Sequence, residues 1–127
     1  MRSRRRGAQR RQGRASDVLW VLVSCNRTTE AGRIGDAVLS ARAAACFSVF
    51  PRSHSRFFWP PKSGKKAAVR GALLVLETVR GLFGAVDTIV RRHHSDTLPF
   101  IGALTIEHVA ETYRAWMRGE LQETPQG

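Results

Sequence analysis

The stretch from Ser40 to Lys66 most constrains the fold, because it joins the end of a helix directly to a long β-hairpin. Residues 42–46 are alanine-rich and close the helix, and Phe47 to Trp59 then carries the alternation and aromatic bulk typical of an extended strand. Pro51 cannot donate a ladder hydrogen bond, which predicts a bulge or an edge position. Pro60 to Gly64 is typical of a turn. A strand of this length outruns its neighbours and leaves unpaired backbone groups, so we expect the hairpin to pair with another copy of the chain.

The segments on either side of the hairpin supply the rest of a sheet and its helices. Val18 to Val23 is apolar on both faces, which predicts a central strand covered on both sides. Thr28 is suited to cap the helix that follows, and Glu30 in its first turn is favoured by the helix dipole. The remaining predicted elements are a return strand at 67–78, a helix at 81–93, a strand at 100–106 and a last helix with the apolar stripe Val109, Tyr113, Trp116, Met117 and Leu121.

The predicted element order is β-α-β-β-α-β-α, and it indicates an α+β fold. Its first six elements form the ferredoxin-like βαββαβ arrangement, to which the last helix is added. Right-handed crossovers then give the strand order 4-1-3-2. In that sheet the end of the first strand, with Cys25, meets the start of the fourth, close to His94, and the hairpin tip with Trp59 lies at the same edge. Cys46 begins the second strand and is therefore predicted at the opposite edge.

Charge divides the chain of 127 residues into a tail and one domain. The net charge is +11, and much of it comes from arginines that precede Asp17, the first acidic residue. We predict a basic, disordered tail at residues 1–16, a single domain at 17–122 and a frayed C-terminus at 123–127.

Four interpretations of the tail compete. It is a solvated segment or the product of a misassigned start codon, a basic arm that binds nucleic acid, an organelle transit peptide, or the charged start of a secretory signal. Leu22-Val23-Ser24-Cys25 resembles a lipoprotein cleavage box, but the apolar run before it, residues 18–23, is shorter than the ~7–15 residues that signals use. We expect nucleic-acid binding only through this tail.

Cysteine usage and motif content limit the cellular compartment and the functional classes that we expect for the chain. The two cysteines, Cys25 and Cys46, have no CxxC spacing and are too few for a disulfide scaffold, which favours a reducing, cytoplasmic setting. No apolar run approaches the ~18 residues that span a membrane, so no membrane partner is expected. The sequence has no GxSxG, HExxH, P-loop or glycine-rich nucleotide motif, so we expect neither an enzyme nor an organic cofactor.

The chain resembles the CutA family, the divalent-cation tolerance proteins, from about Val18 to Leu121. The pieces that carry the resemblance stand in the family's order and spacing: Val21 to Cys25, Ala43 to Cys46, Ser55 to Trp59, His94 to Ile101, and Trp116. The resemblance implies a ferredoxin-like protomer and a tight, PII-like homotrimer in which the long hairpin pairs between subunits. It also implies binding of copper or another divalent cation, since Cys25, Cys46 and His94 fall on the positions discussed as ligands.

The sequence departs from the family pattern in the cleft between subunits. Trp59 is followed by Pro60-Pro61 where the family has glutamate and glycine, and Glu77 stands where it has lysine. Asp96 and Phe100 replace a tyrosine and a glutamate. We therefore keep two hypotheses open. One is a non-catalytic, copper-binding homotrimer that takes part in the response to metal ions. The other is a metal-free trimeric scaffold that senses a ligand or docks a partner in that cleft.

Overall fold

A computed structural model describes residues 13–123 of the chain. These residues form a four-stranded sheet, a separate two-stranded hairpin extension and three α-helices. The elements are β1 (Val18–Cys25), α1 (Thr28–Ser40), β2 (Cys46–Pro51), β3 (Ser55–Phe58), β4 (Lys66–Val69), β5 (Ala72–Val79), α2 (Phe83–His93, preceded by a 3-10 turn at Arg80–Leu82), β6 (Ile101–Thr105) and α3 (Glu111–Glu120).

The sheet has the strand order β2-β5-β1-β6, and every neighbouring pair is antiparallel. β2 with β3 makes up the predicted second strand, and β4 with β5 makes up the predicted third. The observed order is therefore the predicted 4-1-3-2. The ferredoxin-like α+β fold and its additional C-terminal helix are confirmed.

The prediction of one unbroken strand from Phe47 to Trp59 is wrong. It is interrupted at residues 52–54, and the return strand is interrupted opposite, at Arg70 and Gly71. Gly71 has a φ of +63°, and a Cβ at this position would lie 2.1 Å from the carbonyl oxygen of Cys25. The hairpin bends here because its backbone closes onto the end of β1, where only glycine fits. Pro51 is the last residue of β2, an edge strand, as predicted.

The core lies between one face of the sheet and the helices α1 and α2. Alternate residues of β1 point into it, and Ile34 and Val38 of α1 and Val86 and Val90 of α2 are fully buried against them. Gly35 brings α1 close to β2, since a Cβ there would lie 2.5 Å from the ring of Phe47. Close packing is therefore one reason for a glycine inside this helix.

The opposite face of the sheet is open in a single chain. Trp20 on β1 and its register partner Leu104 on β6 remain 41% and 55% exposed. The prediction that β1 is covered on both sides is therefore not met within one chain. α3 reaches this face at one end, where Tyr113 Oη and Trp20 Nε1 both donate hydrogen bonds to the carboxylate of Glu77.

The described part of the predicted tail packs against the domain. Residues 15 and 16 lie in a turn, and the backbone N–H groups of Arg80 and Gly81 donate to the carbonyls of Asp17 and Ala15. The rest of the predicted tail, residues 1–12, and the end of the predicted frayed C-terminus lie outside the described residues. Within residues 13–123, no helix combines the length and apolarity that a membrane crossing requires.

Candidate metal-binding site

Three side chains with metal-ligating atoms meet where β1 ends, α1 begins and the chain leaves α2. They are Cys25, Glu30 and His94, and their ligand atoms all lie within 4.8 Å of one another. Cys25 is the last residue of β1, and His94 directly follows α2. The topological argument thus correctly predicted that Cys25 and His94 lie together at one edge of the sheet.

Glu30 is the member of this cluster that the sequence did not identify as a candidate ligand. Its side chain folds back over the start of α1, where Oε1 accepts from the backbone N–H of Asn26 at 2.9 Å and Oε2 from that of Ser95 at 2.9 Å. The predicted cap, Thr28, is wrong: the capping position is Arg27, which makes no side-chain cap. The available signal was the acidic residue in the first turn, from which a carboxylate can reach back to the backbone N–H groups before the helix.

The carboxylate of Glu30 is held ionised by its surroundings. Burial by itself raises the pKa, since Glu30 is only 4% exposed. Hydrogen bonds from Ser95 and from the Asn26 backbone, together with the nearby His94, outweigh burial and lower the pKa of Glu30 below its ordinary value. The result is a buried negative charge beside the thiol and the imidazole.

Hydrogen bonds fix the orientation of the His94 imidazole. Nδ1 lies 3.0 Å from the backbone N–H of Asp96 and accepts from it, so Nε2 carries the proton and donates to the carbonyl of Ser24 at 2.7 Å. This bond joins the loop after α2 to the end of β1. A metal that takes either nitrogen replaces one of the two hydrogen bonds.

The thiol of Cys25 is buried and protonated. The side chain is 0% exposed. Burial, followed by the negative charge of Glu30, raises its pKa to about 12, although the guanidinium of Arg52 acts in the opposite direction. A metal ion that binds here must therefore displace the thiol proton.

The donor set fits a thiophilic divalent or monovalent metal. Thiolate, imidazole and carboxylate are the ligand types that zinc and copper take in proteins, and three protein ligands leave a further position open. Their ligand atoms lie within 4.8 Å of one another, so a small inward movement of the side chains would bring them to metal bonds of about 2.0–2.3 Å. The residues present can thus hold such an ion once the protons and hydrogen bonds named above are exchanged.

Cys46 lies outside this cluster. It pairs with Glu77 on β5, whereas Cys25 pairs with Ala72, five positions along the same strand. At about 3.4 Å per residue the two cysteines are roughly 17 Å apart along the strand direction alone. One chain therefore does not bring the three predicted ligands Cys25, Cys46 and His94 together. The thiol of Cys46 is partly buried, and burial and the Glu77 carboxylate raise its pKa.

A cavity of about 590 Å³ opens beside the cluster, between the bent hairpin and the loop after α2. Asp96 and Phe100, two of the residues by which this sequence departs from the family pattern, line it. Glu77, a third such residue, lies elsewhere, with Trp20 and Tyr113 on the open face of the sheet.

Comparison with known proteins gives the same family throughout. The family model "CutA1 divalent ion tolerance protein" matches residues 19–120. The divalent-cation tolerance protein CutA of Archaeoglobus fulgidus is 30% identical over 98 residues, which cover 77% of this chain and 92% of that protein. A solved structure from the same organism, titled a periplasmic divalent cation tolerance protein CutA, has a TM-score of 0.77 at 28% identity and covers 83% of this chain and 99% of the other. The rice CutA1 structure has a TM-score of 0.79 at 24% identity over 85% of this chain and 96% of its own, a likeness of fold alone.

Some of the relatives are longer than this chain. The match spans 63% of the zebrafish CutA homologue, at 28% identity over 76% of this chain. It spans 52% of the rice chloroplastic CutA 1, at 28% identity over 75% of this chain. Because the family model covers nearly all of the described residues, the chain belongs to the CutA1 divalent ion tolerance family.

Proposed function

We propose that this chain forms a non-catalytic homotrimer that binds copper, and through it takes part in the response to divalent metal ions. The observation that carries the proposal is the buried convergence of Cys25, Glu30 and His94 within 4.8 Å. Bound copper would supply a redox-active, thiophilic centre. The chain's own residues would provide a thiolate, an imidazole nitrogen and a carboxylate oxygen as its ligands.

The absence of a catalytic role is part of the proposal, and the burial of the thiol supports it. A substrate cannot reach the Sγ of Cys25 from solvent, and a pKa of about 12 leaves almost no thiolate at neutral pH. The Nε2–H of His94 is directed to the Ser24 carbonyl, so the imidazole is not arranged as a base for the thiol. We also propose a cytoplasmic location, because both cysteines are free thiols and lie too far apart for a disulfide within the chain.

A copper titration with ligand variants tests the metal site. We expect the chain to bind one copper ion saturably, measured anaerobically with Cu(I) against a chromophoric competitor. Cys25→Ser and His94→Gln should each weaken binding at least tenfold, because each removes one ligand. Cys46→Ser and His108→Gln are the matched controls, since Cys46 lies outside the cluster and the side chain of His108 is 93% exposed. Affinity that is unchanged in both ligand variants would refute the proposed site.

The open face of the sheet supports the trimer. Trp20, Leu104 and Phe50 are each more than 40% exposed, and exposed apolar side chains on one face of a sheet are typical of an interface between chains. Phe58 of the hairpin extension, which does not line the cavity between the hairpin and the loop after α2, is 70% exposed as well. Association through the sheet face and this side of the hairpin would bury these side chains and leave the cavity open.

A charge on the open face should therefore prevent trimer formation. We expect the mass of the wild-type chain, measured by light scattering after gel filtration, to be three chain masses. Leu104→Glu should yield monomers, because a buried unpaired carboxylate costs several kcal/mol in each interface. Leu39→Glu on α1, at a leucine 38% exposed away from this face, should leave the trimer intact. A monomeric wild-type chain, or a trimer that tolerates Leu104→Glu, would contradict this interface.

A metal-free scaffold that senses a ligand is the second candidate function, and the cavity beside the cluster supports it. Its volume of about 590 Å³ is within the range of small-molecule sites, about 300–1,000 Å³. The cavity is lined by residues other than Cys25, Glu30 and His94. A ligand could therefore bind there whether or not copper occupies the cluster.

A further inference from the structure

Two opposite charges line the cavity between the hairpin and the loop after α2, and neither is neutralised there. They are the guanidinium of Arg52 and the carboxylate of Asp96. Within residues 13–123, neither group takes part in an ion pair. The remaining walls are polar near the end of β1 and aromatic along the hairpin, and they comprise Ser24, Asn26, Ser55, Phe57, Trp59, Ala67, Val69, Ser95, Thr97, Leu98 and Phe100.

Neutral groups of the protein hold the guanidinium of Arg52 in place. Nη1 donates to Ser24 Oγ at 2.6 Å, Nη2 to the Cys25 carbonyl at 3.0 Å, and Nε to the Arg70 carbonyl at 3.0 Å. These bonds fix the orientation of the group without cancelling its charge. They use three of the five N–H donors of an arginine, so two remain for a ligand.

The carboxylate of Asp96 is oriented in a similar way. Its Oδ1 accepts from Asn26 Nδ2 at 2.9 Å, which is again a neutral donor. The second oxygen and the negative charge remain available to a cation. The anchoring residues Ser24 and Asn26 are two positions apart, about 7 Å along an extended chain, so both charges are held at the same end of β1.

The two charges and the walls together define one class of ligand. A molecule that carries an ammonium and a carboxylate group on one carbon can place each group on the opposite charge, since each hydrogen bond adds about 2.9 Å to the span. The faces of Phe57, Trp59 and Phe100 offer an apolar, aromatic surface on which a ring can pack. A simple anion would leave Asp96 unpaired, and a simple cation would leave Arg52 unpaired.

We propose that this cavity binds a small zwitterion of the amino-acid class with an aromatic side chain. Its carboxylate lies on Arg52, its ammonium on Asp96, and its ring lies among Phe57, Trp59 and Phe100. This assignment rests on the second candidate function, that of a ligand-sensing scaffold, and is independent of copper.

Calorimetric titration of the full chain, freed of metal with a chelator, tests the assignment with three probes. They are L-phenylalanine, phenethylamine, which lacks the carboxylate, and 3-phenylpropanoate, which lacks the ammonium. We expect saturable binding of L-phenylalanine, and binding at least tenfold weaker for the other two. Asp96→Asn should weaken L-phenylalanine binding at least tenfold and leave 3-phenylpropanoate unchanged. Asp87→Asn is the matched control, because Asp87 pairs with Arg91 on α2, outside the cavity lining, and it should change nothing.

The other outcomes distinguish a failure of the zwitterion assignment from a failure of the ligand-sensing function. Binding of phenethylamine or 3-phenylpropanoate as tightly as L-phenylalanine would overturn the zwitterion and keep the cavity as a ligand site. An Asp96→Asn variant that binds L-phenylalanine like the wild type would overturn the role of Asp96 and with it the zwitterion. Binding of none of the three, as when another copy of the chain fills the cavity, would overturn the assignment and count against the scaffold function itself.

Discussion

Replacing Glu30 with alanine should lower the free energy of unfolding by about 2–4 kcal/mol, a large fraction of the stability of a domain of this size. The substitution leaves the backbone N–H groups of Asn26 and Ser95 without their carboxylate acceptor in a partly buried place. It also removes the side chain that joins the first turn of α1 to the backbone just before its capping position, where Arg27 makes no side-chain cap. Urea unfolding of the metal-free protein at neutral pH measures the effect.

The control for this prediction is Glu107→Ala, because the side chain of Glu107 is 88% exposed and its loss should change stability by less than about 0.5 kcal/mol. A Glu30→Ala variant as stable as the wild type would show that water replaces the carboxylate at no cost.

The depressed pKa of Glu30 gives the same prediction a pH dependence. Because its pKa is lower in the folded than in the unfolded chain, the carboxylate contributes its full stabilisation above the ordinary value of 4.5. That contribution is lost as the pH falls through the folded-state pKa. The difference in stability between wild type and Glu30→Ala should therefore be largest near neutral pH and shrink below about pH 4. A difference that stays constant from pH 7 to pH 3 would contradict the ionised, buried carboxylate.

Element order and periodicity were sufficient to predict the sheet. An apolar first strand, two helices with buried stripes and a hairpin between them leave few topologies once crossovers are right-handed, and the order found is the one expected. The bend in the hairpin was not predictable in the same way. It depends on Gly71 in a left-handed conformation against the Cys25 carbonyl, a contact between residues distant in sequence.

The candidate site was predictable only where it depends on the directions of the strands. Strand directions alone bring Cys25 and His94 to one edge and send Cys46 to the other, and the register confirms both placements. Glu30 was missed because its role requires knowing that the loop after α2 passes over the start of α1. Its side chain serves two backbone donors, Asn26 and Ser95, that are 69 residues apart in sequence.

The proposed zwitterion cavity depends even more strongly on contacts between residues that are distant in sequence. Arg52 had no place in the sequence argument, which treated its surroundings as plain strand. In the structure, the interruption of the strand turns its guanidinium toward the end of β1. The bend of the hairpin thus closes the backbone over Cys25 and also fixes one charged wall of the cavity.

The thiol of Cys25 should react with iodoacetamide about 1,000-fold more slowly in the folded, metal-free protein than in urea at pH 8. The expectation follows from its pKa of about 12, against 9.0 for an ordinary cysteine. Thiolate, the reactive form, then falls from roughly a tenth of the molecules to roughly one in ten thousand. The pKa is raised because burial and the charge of Glu30 both disfavour a second anion, so the folded-state rate should still rise with pH beyond pH 9.

The measurement requires a Cys46→Ser variant, so that Cys25 is the one thiol followed by mass spectrometry. Glu30→Gln in the same background is the informative partner, since it removes the negative charge beside the thiol and should speed alkylation while the protein remains folded. Folded-state alkylation within tenfold of the rate in urea would show an accessible, activated thiolate, and would overturn the non-catalytic proposal. Slow alkylation has the opposite consequence. Copper must then displace the thiol proton, so the metal-free cluster discriminates against metal ions that bind thiolate weakly.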